Sequence, residues 1–119
     1  MLERMILQYL KNDLEIPVFM EEQKEKHKRY VLLEKTGSSL EDHICSATIV
    51  IQSYAESMYE AAALNEEVKR RMLYGFIKIP EISKVKLNTD YNFTDTTRKQ
   101  YRYQAVYDIT YQEGIRYGQ

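Results

Sequence analysis

His43 and Cys45 stand two residues apart in a β-branched stretch, residues 42–54 (DHICSATIVIQSY). On a strand that spacing sends both side chains to one face, where an imidazole can deprotonate a thiol to give a nucleophile. No third group that would orient the imidazole lies nearby in sequence. A small buried cysteine beside a surface-end histidine is therefore the better reading. His27 is the other histidine, and with one cysteine in the chain no zinc-ligand spacing arises. Asp90 and Asp95 bracket Tyr91-Asn92-Phe93-Thr94, but the spacing matches no calcium loop and lacks the glycine of the sharp turn. Turn-forming Asx residues are the simpler account. No GxGxxG, P-loop or GxSxG pattern occurs in the sequence. The expectation is a chain with no catalytic residue, no metal and no cofactor.

Eleven tyrosines and no tryptophan are the compositional oddity. Tyr101, Tyr103, Tyr107 and Tyr111 could stack nucleobases, with Arg98, Lys99 and Arg102 on phosphates. Lys plus Arg is 17 against 18 for Asp plus Glu, a net charge of −1, which opposes general nucleic-acid coating. The expectation is that the tyrosine stripe packs under helices with its hydroxyls at the margin, without sequence-specific nucleic-acid binding.

These side chains need elements to hold them. The 119 residues, 44% hydrophobic and 29% charged, suit one domain with its own core. One cysteine excludes an intrachain disulfide. The N-terminal MLERMILQYLKND is broken by charge too early for a signal-peptide core, which predicts a chain that is intracellular when made. No run approaches the ~20 apolar residues of a membrane span, so no membrane partner is expected.

Leu2, Met5, Ile6, Tyr9 and Leu10 recur at helical spacing, predicting a helix over 2–11 that stops near Asn12 and Asp13. Val18-Phe19-Met20 reads as a short edge strand after Pro17, and 21–29 (EEQKEKHKR) as a solvated loop. A strand over 30–35 is followed by a turn-like Thr36-Gly37-Ser38-Ser39. Residues 42–54 form a long strand with Cys45, Ala47, Ile49 and Ile51 on one face. Its other face, with Ile44, Ser46, Thr48, Val50 and Gln52, is mixed, as if partly covered by another chain. Ser57 with Glu60 makes a capping box for a helix to about Tyr74, ended by Gly75. Met58, Ala61, Ala62, Val68 and Met72 are its predicted buried stripe, with Leu64 at the edge. Residues 80–90 alternate as a half-buried strand with Val85, Leu87 and Thr89 inward, and 88–97 is turn-prone. Tyr101, Tyr103, Ala105, Tyr107, Ile109 and Tyr111 share one face of a final strand over 99–112. The predicted fold is α+β: a mostly antiparallel sheet with two helices on one face, in the order α-β-β-β-α-β-β. Residues 1–112 form a single domain and 113–119 a flexible tail.

Several stretches together resemble the small tail-terminator, or tail-completion, proteins of long-tailed bacteriophages and prophages, also described as minor capsid or head–tail joining proteins. They are the N-terminal amphipathic helix with Ile16-Pro17-Val18, the block 30–37 (YVLLEKTG), and 46–55 (SATIVIQSYA). The alanine-rich second helix, 87–95 (LNTDYNFTD) and 101–107 (YRYQAVY) complete the likeness, which spans nearly all of 1–112. The resemblance implies a structural virion protein and no enzyme. It would form a ring, typically a hexamer, that caps the tail tube at the head–tail junction, with the tail-tube protein and the head connector as partners. It would be made in the bacterial host cytoplasm. The interface candidates are Lys84, Lys86, Tyr91, Phe93, Arg98 and Arg102, on the hairpin expected to project. A head–tail adaptor or stopper role, a nucleic-acid-binding module and a small enzyme using Cys45 are the alternatives.

Overall fold

The computed structural model describes residues 1–25 and 27–112; the tail expected over 113–119 lies outside them. Two helices and five strands follow in the order α1 (Leu2–Leu14), β1 (Val18–Phe19), β2 (Tyr30–Glu41), β3 (Ile44–Ala55), α2 (Met58–Arg70), β4 (Ile82–Asn92) and β5 (Tyr101–Tyr111). The sheet order is β1-β2-β3-β5-β4. All neighbours are antiparallel except β1, which runs parallel to β2 at the edge. This is the predicted α+β arrangement, with both helices packed on one face.

The inner face of the sheet and the two helices share one core. Val31 and Leu33 of β2, Ala47, Ile49 and Ile51 of β3, and Ala105, Tyr107 and Ile109 of β5 are buried against Leu2, Ile6 and Leu10 of α1 and Leu64 and Val68 of α2. The alternation in β3 and β5 therefore partitions as expected, and Tyr107 and Tyr111 are core residues closed to any stacking base. Burial of these apolar faces is the main term holding the layers together.

Helix α1 runs past the expected stop because Glu15 caps it in the left-handed region, its N–H donating to the Lys11 carbonyl. Helix α2 begins as expected, with Ser57 accepting from the Glu60 N–H at 3.1 Å. Its buried stripe is Ala61, Leu64, Asn65 and Val68, so Leu64 is central rather than marginal, while Met58 is exposed and Ala62 half-buried. Gly75 does not end a helix in the left-handed region; it stays right-handed inside a π turn (Arg71–Gly75) that leads to a 3₁₀ turn (Phe76–Lys78). The reason for glycine is Tyr9. A Cβ at position 75 would sit 1.7 Å from the Tyr9 hydroxyl oxygen. The wide π turn lets Met72 and Phe76 both reach the core while the backbone at Gly75 slides past that ring.

Three local expectations give way. Residues 36–39 are not a turn: β2 continues to Glu41, with a bulge between Lys35 and Gly37. The turn is Asp42 and His43, both at positive φ (52° and 69°), a two-residue hairpin whose twist matches the strands. Aspartate and histidine are among the residues that tolerate this region. His43 is thus a turn residue, and His43 and Cys45 do not share a strand face. Finally, β4 has a bulge between Leu87 and Thr89. It moves Thr89 to the outer face, opposite Val106, and turns Asp90 inward, opposite Ala105, against the predicted alternation.

Candidate functional site

The helices leave the other face of the sheet uncovered. Register places Glu34, Gly37 and Ser39 of β2, Ser46, Thr48, Val50 and Gln52 of β3, Arg102, Gln104, Val106 and Asp108 of β5, and Lys84, Lys86, Thr89 and Tyr91 of β4 on it. The mixed composition seen in the sequence is this face.

Hydrogen bonds run across it in one direction. Arg102 Nη1 donates to the Tyr54 hydroxyl at 3.2 Å. Tyr54 donates to Gln52 Oε1 at 2.8 Å, and Gln52 Nε2 to Gln104 Oε1 at 2.7 Å. Gln104 Nε2 then donates to the Tyr91 hydroxyl. Each amide accepts on one side and donates on the other, so the chain polarises along its length and fixes the surface without a covering layer. Farther along, Asp108 accepts from Thr48 at 3.4 Å and from Asn88 at 3.0 Å.

Arg102 is the centre of one corner. Its guanidinium carbon lies 4.5 Å from the Phe93 ring centroid and 5.7 Å from that of Tyr54. Its Nε donates to the Phe93 carbonyl at 2.6 Å. Behind it the Tyr30 and Tyr54 rings stack at 4.4 Å and 8°. Tyr91 meets Phe93 edge-on at 6.0 Å.

The predicted interface residues fall into separate groups. Tyr91, Phe93 and Arg102 are brought together at this corner. Arg98 projects from the loop beyond it, its side chain 77% exposed and 3.8 Å from Asp95. Asp95 folds that loop by accepting from the Thr97 and Arg98 N–H groups, the Asx role expected of it. Lys84 and Lys86 are exposed at the opposite end, level with Thr110 and Asp108. The corner needs three strands in register, so sequence alone could not assemble it; the signal was the tyrosine on β3 (Tyr54) facing an arginine on β5.

At the tip of β2–β3, residues 36–44 are all exposed. Leu40 is 70% and Ile44 44% exposed there. Beside the Arg102 corner, a cleft of about 700 Å³ opens between residues 22–25 and 27–28 on one side and 98–101 on the other, with Glu22, His27, Tyr30, Arg98 and Lys99 on its walls. Its walls carry both signs of charge and so offer no uniform field to a phosphate chain.

Burial pushes the Tyr30 hydroxyl up to about 12, helped by Tyr54 and Glu22 and opposed by Arg102. Burial also raises Tyr107, with Asp90 and Glu66 adding to it. For Lys69, burial pulls the pKa down, but hydrogen bonds to Glu66 and Asp90 outweigh it and leave the ammonium above its ordinary value. In all three the folded chain holds its proton more tightly than the unfolded one. The stabilisation is therefore complete below about pH 10 and is lost as pH rises toward and past the folded values. Urea midpoints should stay level to about pH 9 and fall by about pH 11, with Tyr30→Phe flattening part of the fall. Level midpoints through that range would contradict these environments.

No protein-family model and no curated protein matches the chain.

Proposed function

We propose that the chain is a structural subunit of a long-tailed bacteriophage or prophage, which assembles as a ring, caps the tail tube and joins it to the head connector. The observation that carries this reading is the β2–β3 arm, exposed on both sides over residues 36–44 with Leu40 and Ile44 at its tip. Apolar side chains exposed on both faces of one hairpin are available for contact with a neighbouring subunit. The open sheet face, hydrogen-bonded within itself yet not covered by any of the described residues, supports the same reading. So does the resemblance of the element order and the strand blocks to tail-terminator proteins. In this role the protein resides in the virion at the head–tail junction and acts through surfaces rather than a reaction.

The contact with the tube falls to the Arg98 loop, next to Tyr91 and Phe93. Arg98→Glu should impair tail joining in a complementation assay while leaving the unfolding free energy within about 0.5 kcal/mol, since the side chain is exposed. Arg102→Glu is the poorer probe, because it removes the packing and hydrogen bonds of its corner as well. Unaltered virion assembly with Arg98→Glu would remove this loop from the interface.

A further inference from the structure

Among the described residues, both borders of the sheet are open strands. Among the described residues, β4 pairs only with β5. On the other border, β1 pairs with β2 only at Val31 and Leu32, which leaves the rest of β2 without an outer partner strand. Open edges of this length are templates for pairing with another chain.

The two edges match in position and in charge. Bulges divide each edge strand, between Ile82 and Lys84 and between Leu87 and Thr89 on β4 and between Lys35 and Gly37 on β2, and the regular stretches left, Lys84 to Leu87 and Gly37 to Glu41, lie at the same end of the sheet. Leu40 is level with Ile82 through Cys45 and Tyr111, and Gly37 is level with Lys86 through Thr48 and Asp108. On the outer face the β4 edge carries Lys84 and Lys86, and the β2 edge carries Glu34 and Glu41, all exposed. Lysines on an edge strand block pairing with their own copy. They do not block an edge that presents carboxylates.

We infer that β4 of one copy receives β2 of a second copy as an antiparallel neighbour, head to tail, with Lys84 and Lys86 meeting Glu41 and Glu34. If the sheet continues from copy to copy without shear, Ser39 of the second copy faces Lys84 and Gly37 faces Lys86. Each lysine then has a glutamate at a diagonal outer-face position, within reach of its long side chain. Pairing of unlike edges repeats around a ring, whereas like-with-like pairing stops at two copies. The charges therefore select the heterologous joint and disfavour the two-fold one. This deepens the ring reading by naming its joint, and rests on it only for closure.

The test is light scattering coupled to size exclusion on the full chain at millimolar protein, using two charge-reversed forms. Lys84→Glu with Lys86→Glu makes both edges acidic; Glu34→Lys with Glu41→Lys makes both basic. The native chain should assemble. Each reversed form should associate about a hundredfold more weakly, and an equal mixture of the two should regain assembly with alternating copies. A monomeric native chain, or a mixture no better than its parts, overturns the inference. Assembly indifferent to both reversals overturns this joint while leaving a ring formed elsewhere. Sensitivity to the reversals with unaltered tail joining keeps the joint and removes the virion role.

Discussion

Phe76→Ala lowers the free energy of unfolding by about 3–5 kcal/mol, the range for emptying a buried aromatic site. Phe76 is fully buried in the 3₁₀ turn after the π turn. Its ring lies 5.7 Å from that of Tyr9 at a tilt of 55°, and it belongs to the core shared by both helices and the sheet. The site cannot collapse easily. Tyr9 is held on one side by Gly75, where its hydroxyl occupies the space of an absent Cβ. With domains of this size stable by about 5–15 kcal/mol, the variant approaches unfolding at ordinary temperature. Phe76→Leu retains more of the volume and should cost less than half as much. Chemical denaturation of the pair checks this, and equal, small losses would mean that the turn is not anchored through Phe76.

Asp90→Ala should cost about 2–3 kcal/mol, although a sequence reading places Asp90 in a turn. Its Oδ2 accepts from Asn65 Nδ2 and from Lys69 Nζ, each at 2.9 Å. Asn65 is buried, so removal of the carboxylate strands its amide donors away from water, and an unmet buried donor is dearer than the bond was worth. Lys69 retains Glu66, which limits the loss. Asp90→Asn keeps an acceptor but loses the charge, and should fall between the native chain and Asp90→Ala. A double-mutant cycle with Lys69→Met isolates the ionic part. Additive losses would show that Asp90 and Lys69 do not act together.

The bulge in β4 creates this contact and also explains where sequence reading stops. The alternation in β3 and β5 was legible because period 2 persists over their whole length, and those strands form the centre of the sheet. In β4 the bulge between Leu87 and Thr89 reverses the faces, so a period carried through it assigns Thr89 inward and Asp90 outward. The hairpin turn was hidden for a related reason. Gly37 and its serine neighbours have turn chemistry, but the backbone there forms a bulge, and the left-handed pair is Asp42 and His43, neither a glycine. The open face was legible as mixed composition on β3. The Arg102 corner was not, because Tyr54, Phe93 and Arg102 meet only once β3, β4 and β5 are in register.

The claim that these surfaces serve a ring on a tail tube is tested most directly by light scattering coupled to size exclusion, with and without tubes assembled from the tail-tube protein of the same genome. The expected result is a ring, or a subunit that binds tube ends and fixes their length. A monomer that leaves tubes unbound and growing would contradict it.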